Sequence, residues 1–367
     1  MNVQFVDIKR QIAEHREEFV NAVLNTISRA DFIGGKAIED FENEFAKFCN
    51  KKYCIALNSG TDALEFALRA YNINDGEVIT APNSYFSSAM VISKVGAKPV
   101  FVDVNENTFN IDIKKLETAI TKNTRAIIPV HLCGQPADLD EVYRLANKYN
   151  IKVIEDCCQA HGAEYNGKIV PIGELGCFSF YPGKNLGCFG DGGAVVTDNK
   201  EVADYIKLLR NDGSKQKYYH EIIGFKSRLD TIQAVILKEK LKYLKSWNEL
   251  RRKHAGLYDK LLKNVDVITP KTLDYVNSVY HLYMIRTKNR DNLQKFLSEK
   301  GISTVIHYPI PIHLQKAYAS LGYKKGSFPI AEKLASEIIS LPMFPELKNE
   351  EIEYVVESIK EFIKTQN

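Results

Sequence analysis

One lysine in a glycine-rich turn offers the clearest chemistry in this sequence. Residues 177–193 read Cys-Phe-Ser-Phe-Tyr-Pro-Gly-Lys-Asn-Leu-Gly-Cys-Phe-Gly-Asp-Gly-Gly, so that a short apolar strand leads through Pro182 and Gly183 to Lys184. A lysine at a strand end, partly removed from water and flanked by backbone dipoles, loses its proton more easily and can then attack a carbonyl. The stretch therefore predicts a Schiff-base lysine. The alternative is an ordinary surface lysine in a turn.

Two earlier segments supply what such a lysine would need. Residues 58–64 follow the apolar run 53–57 and open a helix, whose free N–H groups and hydroxyls can hold a phosphate. Residues 153–162 end a buried strand with Asp156, and Gln159 follows three positions later. A phosphate cup, a carboxylate that keeps a ring nitrogen protonated and a lysine that holds an aldehyde are the parts that pyridoxal 5'-phosphate requires. We therefore expect that cofactor.

Five motifs resemble the DegT/DnrJ/StrS family of nucleotide-sugar aminotransferases, in the family's order and across nearly the whole chain. They are Asn-Ser-Gly-Thr-Asp-Ala-Leu at 58–64, Glu-Asp-Cys-Cys-Gln-Ala-His-Gly-Ala at 155–163, Phe-Ser-Phe-Tyr-Pro-Gly-Lys-Asn-Leu-Gly at 178–187, Gly-Asp-Gly-Gly at 190–193 and Ser-Arg-Leu-Asp at 227–230. The resemblance implies an α/β, aspartate-aminotransferase-like (fold type I) architecture with a mostly parallel central sheet. We expect a large cofactor-binding domain over residues 1–245 and a smaller C-terminal α+β domain over 246–367.

The resemblance also implies roles for the cofactor-site residues. It assigns Lys184 to the Schiff base, Asp156 to the ring nitrogen, Gln159 to the ring hydroxyl and Tyr85 to a stacking position over the ring. Core packing is the alternative for Tyr85, and a helix cap or buried ion pair is the alternative for Asp156. The phosphate would be held by the remaining assigned residues, Ser59, Gly60, Thr61 and Ser179.

Lys226 departs from the family pattern. Relatives carry an asparagine here that contacts the cofactor phosphate of the other subunit. A lysine can make the same contact with a full charge, bind a substrate phosphate or carboxylate, or remain solvated.

The same resemblance implies a set of substrate-binding residues. The break between two helices at residues 31–35 and the loop at 307–314 lie near the nucleotide-sugar in such enzymes, and the loop at 212–230 is long enough to be functional. Each position has a packing or turn role as its alternative. The candidates are Ile33, Gly34, Tyr181, Tyr218, His220, Arg228, His307, Tyr308 and His313.

The predicted function is transfer of an amino group from L-glutamate to a dTDP-linked 3-keto-6-deoxyhexose, giving the 3-amino sugar. The form of the motif around Lys184 resembles the branch that aminates C3. Lys184 would also serve as general base and acid once its amine is free. Because the family shares its active sites between subunits, we expect a homodimer. The alternatives are a C4-specific aminotransferase, a sugar dehydratase, against which Lys184 argues because histidine replaces it there, and a non-catalytic regulatory or binding protein.

Composition excludes other classes. Lys and Arg total 49 against 46 Asp and Glu, a formal net charge of +3, which is too balanced to indicate nucleic-acid binding. The start lacks a leader pattern and no apolar run reaches membrane-spanning length, so we expect a cytoplasmic protein without a membrane partner. Seven cysteines without ligand spacing predict neither disulfides nor a metal site.

Periodicity and turn residues predict the remaining elements. We expect a helix over 8–30, a second one through Phe48, and a helical stretch over 229–262 that is too long for one helix. Residues 162–169 have P-loop glycine spacing, but Ile169 stands where a Ser or Thr must bind magnesium, so an Asn-Gly hairpin is predicted. The C-terminal part should contain strands at 280–287 and 302–308 and helices at 291–299, 330–339 and 350–364.

Overall fold

The structure is a computed structural model that describes residues 1–366. The α-helices are α1 Ile8–Glu14, α2 Arg16–Arg29, α3 Lys36–Phe48, α4 Gly60–Ala70, α5 Ser87–Lys94, α6 Ile113–Ala119, α7 Leu139–Tyr149, α8 Lys200–Arg210, α9 Thr231–Leu241, α10 Leu244–Leu262, α11 Arg290–Glu299, α12 Pro329–Glu337 and α13 Asn349–Gln366. The strands are β1 Tyr53–Leu57, β2 Glu77–Thr80, β3 Lys98–Phe101, β4 Thr124–Ile127, β5 Lys152–Val153, β6 Glu155–Asp156, β7 Glu164–Tyr165, β8 Lys168–Ile169, β9 Leu175–Ser179, β10 Gly193–Thr197, β11 Ser214–Gln216, β12 Tyr219–His220, β13 Val276–Asn277, β14 Tyr283–Arg286 and β15 Ile338–Leu341.

A twisted sheet runs through the larger part of the molecule. One half has the order β3-β2-β4-β5 and is parallel throughout. The other half has the order β6-β9-β10-β1, in which β10 is antiparallel to both neighbours. β5 and β6 follow one another with only Ile154 between them, and a parallel bridge from Val130 to Asp156 continues the sheet across the break. The predicted mostly parallel sheet is confirmed.

Helices cover the sheet because its strands are apolar on both faces, as expected for parallel strands. β1 and β10 are buried over nearly their whole length, and α4, α5 and α8 pack on one face of the sheet through side chains that include Phe66 of α4 and Ile206 of α8. The carboxyl ends of β6 and β9 lie at one edge, where ligands gather in such sheets. Asp156 and the segment leading to Lys184 are at that edge.

The C-terminal residues build a core of their own. β14 pairs with β15, and α10, α11 and α13 contribute Tyr258, Leu297 and Ile359 to it. The N-terminal segment joins this core, because Val3 is fully buried there and pairs with Ile302. The first residues of the chain are thus held beside the C-terminal part.

Several local predictions are confirmed. Residues 164–169 form the β7–β8 hairpin, with Asn166 and Gly167 at φ values of 49° and 74°, the left-handed conformation that its two-residue turn requires. The stretch 229–262 divides into α9 and α10.

In the described residues, no helix is both long enough and apolar enough to cross a membrane.

Other local predictions are wrong. Residues 302–308 form only isolated bridges, and the helix predicted over 330–339 ends at Glu337 because the β-branched Ile338 and Ile339 pair with β14 instead. The first helix is interrupted at His15, whose ring stacks on Tyr243 with 3.9 Å between ring centres. The loop at 212–230 contains the small β11–β12 hairpin.

Candidate active site

The first turn of α4 forms a cup at the carboxyl end of β1. Ser59 is the N-cap, and its Oγ accepts a hydrogen bond from the Asp62 N–H at 3.1 Å, while Thr61 Oγ1 lies 2.9 Å from Ser87 Oγ. The N–H groups of Gly60 and Thr61 belong to the first turn and have no helical acceptor. A Cβ on Gly60 would stand 2.6 Å from Ser179 Cβ, so only glycine lets the cup approach β9 this closely. These donors and the helix dipole suit a phosphate.

A buried carboxylate faces the same space. Asp156 ends β6 and is 4 % exposed. Its Oδ2 accepts from Ser88 Oγ and its Oδ1 from the Cys158 N–H, both at 3.1 Å. Gln159 follows, with its Oε1 accepting from the Cys133 N–H at 2.7 Å and its Nε2 donating to Tyr308 Oη at 3.5 Å. Both side chains are therefore held in fixed orientations.

Lys184 completes the group. It follows β9 in the turn that Gly187 permits, since a Cβ there would lie 2.4 Å from the Pro182 carbonyl oxygen. Burial lowers the pKa of the Lys184 ammonium, and the neighbouring Cys158 and Asp156 oppose that shift only in part. A lysine with a lowered pKa offers more neutral amine for attack on a carbonyl.

The cavity between these groups measures about 600 Å³, within the usual range for ligand sites. The structure brings together eleven of the predicted residues on its wall. They are Ser59, Gly60, Thr61, Tyr85, Asp156, Gln159, Ser179, Tyr181, Lys184, His307 and Tyr308.

Aromatic side chains form the open part of the cavity. The Tyr85 ring is 59 % exposed and lies 5.9 Å from the Tyr308 ring, so its face is available to a planar ligand. His307 is held by Ser340, whose Oγ lies 2.9 Å from its Nδ1, and burial lowers its pKa to about 4. Its imidazole is therefore neutral at physiological pH.

The other predicted residues lie away from this cavity within the same chain. Ile33 pairs with Asp230 next to Gly34, and Lys226 pairs with Asn211. Those on the surface stretch 218–228 are exposed or half-buried, whereas His313 is enclosed, with its Nε2 3.1 Å from Glu332 Oε1. The residues outside the cavity wall are Ile33, Gly34, Tyr218, His220, Lys226, Arg228 and His313.

Phe5, Val6, Asp191 and His281 are among the wall residues that the sequence analysis missed. Phe5 and Val6 come from the N-terminal segment, and the Phe5 ring stacks on His307 with 5.7 Å between ring centres. Asp191 and His281 also line the cavity. Asp191 was within a quoted motif and could have been found, but nothing local marks Phe5, Val6 or His281.

A second buried polar group lies behind Asp156. His131, Glu155 and Cys157 place potential ligand atoms within 4.8 Å of one another. Glu155 is already held by His131 Nε2 at 3.0 Å, Tyr143 Oη at 2.6 Å and the Gly173 N–H at 2.7 Å. Burial raises its pKa, but these hydrogen bonds outweigh the effect and keep the pKa below its usual value. The group is a satisfied structural network.

The donor set fits pyridoxal phosphate. The tight cup around Gly60 suits the phosphate, the buried Asp156 suits a protonated ring nitrogen, and Lys184 can form a covalent bond to an aldehyde. When bound, that cofactor supplies an electron sink that stabilises negative charge on the carbon attached to the transferred nitrogen.

Comparison with known proteins agrees with this chemistry. The profile of the DegT/DnrJ/EryC1/StrS aminotransferase family matches residues 13–360. A "dTDP-3-amino-3,6-dideoxy-alpha-D-galactopyranose transaminase" of Aneurinibacillus thermoaerophilus is 45 % identical, over 98 % of this chain and 99 % of that protein. A "pleiotropic regulatory protein" of Geobacillus stearothermophilus is 46 % identical over 99 % of each chain.

Solved structures are similar throughout. DesV of S. venezuelae, in complex with a ketimine intermediate, has a TM-score of 0.97 and 42 % identity over 99 % of each chain. The PLP-form of the putative sugar aminotransferase Spr1654 from Streptococcus pneumoniae has a TM-score of 0.90 and 26 % identity over 95 % of this chain and 96 % of that one. The predicted fold type, transaminase activity and pyridoxal phosphate cofactor are confirmed, and the chain belongs to the DegT/DnrJ/EryC1/StrS aminotransferase family.

Proposed function

We propose that this protein transfers an amino group from L-glutamate to C3 of a dTDP-linked 3-keto-6-deoxyhexose, using pyridoxal phosphate. The observation that carries the proposal is the convergence of Lys184, Asp156 and the Gly60 cup on one cavity of about 600 Å³. The transaminase name of the Aneurinibacillus relative and the predicted C3-type motif around Lys184 support the choice of sugar.

Each part of the site has a task in this reaction. The cup at Ser59, Gly60 and Thr61 would hold the phosphate, and Asp156 and Tyr85, on the same cavity wall, would hold the ring. Asp156 keeps the ring nitrogen protonated. The neutral amine of Lys184, once free, takes the proton from one carbon and returns it to another, since it is the basic group next to the transferred nitrogen.

The open, aromatic side of the cavity suits the sugar. Tyr85, Tyr181 and His307 stand on that side, and the neutral His307 can donate to or accept from a sugar hydroxyl. We propose these residues, with Tyr308, as the sugar-binding wall.

We also propose that the working form is a homodimer with shared sites. Leu24 and Ile27 on α2 are 53 % and 51 % exposed, Ile33 is 53 % exposed and Ile223 is 96 % exposed. Apolar side chains left this exposed are typical of surfaces that a partner covers. The partner would contribute Tyr218, His220, Lys226 and Arg228, which their own subunit leaves outside its cavity, and Lys226 would take the phosphate contact.

The test is turnover by purified, cofactor-loaded protein. With L-glutamate, the visible absorption band of the cofactor should bleach, and subsequent dTDP-3-keto-6-deoxyhexose should restore the band and give the 3-amino sugar. Turnover of only the 4-keto isomer would replace the C3 assignment with the C4 alternative. A UDP-linked 3-keto sugar run in parallel reports the nucleotide preference.

A second candidate is a cofactor-binding regulatory protein without turnover, because a relative at 46 % identity carries a regulatory name. In that case the absorption band would be stable in L-glutamate and in every other amino donor. The two candidates therefore give opposite results in the first step of the same experiment.

A further inference from the structure

Two buried asparagines, Asn248 and Asn185, and the half-buried His281 connect the backbone of His161 to the active-site cavity. Asn248 Nδ2 donates to the His161 carbonyl oxygen at 2.8 Å. Asn185 Nδ2 donates to Asn248 Oδ1 and to the Val279 carbonyl oxygen, both at 3.0 Å. Asn185 Oδ1 then lies 3.2 Å from Nδ1 of His281. Asn185 and Asn248 are 3 % and 2 % exposed, so water does not compete for these contacts.

The direction of every hydrogen bond between His161 and His281 in this series is determined. Carbonyl oxygens only accept, so Asn248 must point its Nδ2 at His161, and its Oδ1 is left as an acceptor. Asn185 must therefore point its Nδ2 at both Asn248 and Val279, because a flipped amide would set its oxygen against two oxygens. The remaining Oδ1 of Asn185 accepts only, which requires the proton of His281 to be on Nδ1.

A neutral imidazole with its proton on Nδ1 has an unprotonated Nε2. Nε2 of His281 forms no hydrogen bond with residues 1–366 and is not enclosed, and His281 lines the cavity together with Lys184. The cavity wall thus includes a hydrogen-bond acceptor whose tautomer is set from behind.

The charged and titratable groups around His281 keep it neutral. Burial is the largest cause that lowers its pKa well below the usual value, and Lys184, Arg251, His307 and His161 lower it further. His307 differs in one respect, because its partner is the Ser340 hydroxyl, which can donate or accept and so fixes no tautomer.

We propose that His281 is a positioning residue for amine exchange, which offers its bare Nε2 to an amine N–H beside Lys184. The role of His281 in amine exchange rests on the proposed function, whereas the assignment of its tautomer rests only on the hydrogen bonds described above. The transferred nitrogen and Lys184 Nζ would bond in turn to the same carbon, that of the aldehyde. Whichever of the two amines is not bonded must therefore lie close to that carbon. Lys184 Nζ itself forms no hydrogen bond within residues 1–366, so this amine has no other fixed partner there.

The role is orientation, not proton removal. An imidazole with a pKa far below that of an ammonium does not retain a proton from it, so Nε2 holds the N–H and leaves the amine lone pair aimed at the carbon. Two amines can occupy the place, that of Lys184 and that of the amino donor, and the kinetic experiment below distinguishes them.

The tautomer is tested by NMR on protein labelled with ¹⁵N in histidine, without any substrate. Long-range ¹H–¹⁵N correlations at pH 7 should show one histidine, identified by its loss in His281→Asn, with the proton on Nδ1 and Nε2 bare. Asn185→Asp keeps an acceptor and adds a charge, so it should favour the imidazolium of the same residue. A proton on Nε2, or an imidazolium in the wild type at pH 7, would overturn the proposal.

The role is tested by two substitutions, of which one retains the donor to Asn185 and the other retains the acceptor in the cavity. His281→Asn keeps a donor to Asn185 but removes the acceptor in the cavity, whereas His281→Gln places an amide oxygen near the Nε2 position. We expect the glutamate half-reaction to slow about 2- to 12-fold in His281→Asn, the range for one hydrogen bond between uncharged groups, and less in His281→Gln. Cofactor absorbance and the unfolding temperature should stay close to wild type in both.

Two further measurements separate the two amines. If Nε2 orients Lys184, the deuterium isotope effect with 2-²H-glutamate should rise in His281→Asn, since proton transfer becomes slower. If it orients the donor, KM for glutamate should rise instead. A His281→Asn enzyme with wild-type rate, KM and isotope effect would refute the role. A wild type that responds to no amino donor would refute the proposed function and the role with it, while the NMR result on the tautomer would stand.

Discussion

At the scale of single residues, burial and charge define what Lys184 can do. Its ammonium is removed from water beside Cys158 and Asp156, so its pKa is lowered while a negative charge remains within reach. The arrangement favours a neutral amine that can both bond to an aldehyde and move a proton.

Replacement of Lys184 by alanine should therefore abolish transamination. We expect a loss of at least about 10²- to 10⁴-fold, the range for a general acid–base group alone, while folding is retained because the side chain makes no hydrogen bond that the core needs. Borohydride reduction and peptide mapping should label the Lys184 peptide in the wild type and leave it unlabelled in Lys184→Ala. Lys168→Ala, at an exposed hairpin position, is the matched control and should behave as wild type. A label on another lysine would contradict the assignment.

The sequence identified the residues whose neighbours along the chain carry a motif, such as Lys184, Asp156 and the cup at Gly60. It missed Phe5 and His281, because each reaches the cavity only through tertiary pairing. Phe5 is brought there when Val3 pairs with Ile302, and His281 is oriented by a network that spans residues 161–281. Such long-range hydrogen bonds have no local signature.

At the scale of elements, His161 shows how the end of β9 responds to acid. Its ring lies between Phe178 and Phe180, and neither of its nitrogens has a hydrogen-bond partner in residues 1–366. Burial, with a smaller effect of Lys184, lowers its pKa to about 3. In the unfolded chain the pKa of this histidine is about 6.5. Between pH 3 and pH 6.5 the unfolded chain therefore binds a proton at His161 that the folded chain does not bind.

The free energy of unfolding should consequently fall as the pH drops below about 6.5. The His161 contribution is fully present above that pH and is lost as the pH falls towards 3, with a slope of up to about 1.4 kcal/mol per pH unit. Urea unfolding of His161→Leu between pH 7 and 4.5, at one protein concentration, should show a smaller slope than the wild type. Equal slopes in the two proteins would mean that His161 is not buried in its neutral form.

The cup on α4 gives a paired prediction for glycine substitutions. Gly60→Ala would place a methyl group 2.6 Å from Ser179 Cβ, and such overpacking costs about 1–3 kcal/mol. We expect weaker cofactor binding and a lower unfolding temperature. Gly256→Ala, inside α10 with no atom within 4 Å of the added Cβ, should instead stabilise the protein by roughly 0.5–1 kcal/mol. A Gly60→Ala protein with wild-type cofactor affinity would show that the cup can widen.

Element prediction succeeded where short-range chemistry decides. The Asn166-Gly167 turn formed the expected hairpin because its two residues adopt positive φ. The predicted helix included residues 338 and 339, yet they belong to β15 because β14 supplies a pairing partner from more than 50 residues away. Tertiary pairing overrode local periodicity there.

At the scale of the whole molecule, the predicted site residues on the segment 218–228 lie outside the cavity of their own chain. Tyr218 is 80 % exposed, and Lys226 is exposed at the bridge to Asn211. Neither contacts its own cavity. In a two-fold symmetric dimer the same segment of the partner could reach the phosphate cup, which is the arrangement proposed above.

Hybrid dimers can test this sharing directly. The Lys184→Ala homodimer should be inactive, because both of its sites lack the lysine. Lys226→Ala should bind the cofactor about 10- to 100-fold more weakly if its ammonium holds the phosphate, and should be correspondingly impaired at limiting cofactor. When the two variants are unfolded together and refolded at equal concentrations, half of the dimers should be mixed by random pairing. If Lys226 acts across the interface, each mixed dimer contains one site with both lysines intact, so activity should recover to about a quarter of wild type.

If Lys226 acts within its own subunit, every site retains one of the two defects and mixing restores nothing. Refolding each variant alone controls for recovery caused by the procedure, and adding Ile223→Asp to both variants should abolish the recovery if that exposed side chain lies in the interface. Recovery that persists with Ile223→Asp would place the interface elsewhere. An absence of recovery, together with a weakened Lys226→Ala, would show instead that each subunit completes its own phosphate site and that the segment 218–228 closes over its own cavity when the cofactor binds.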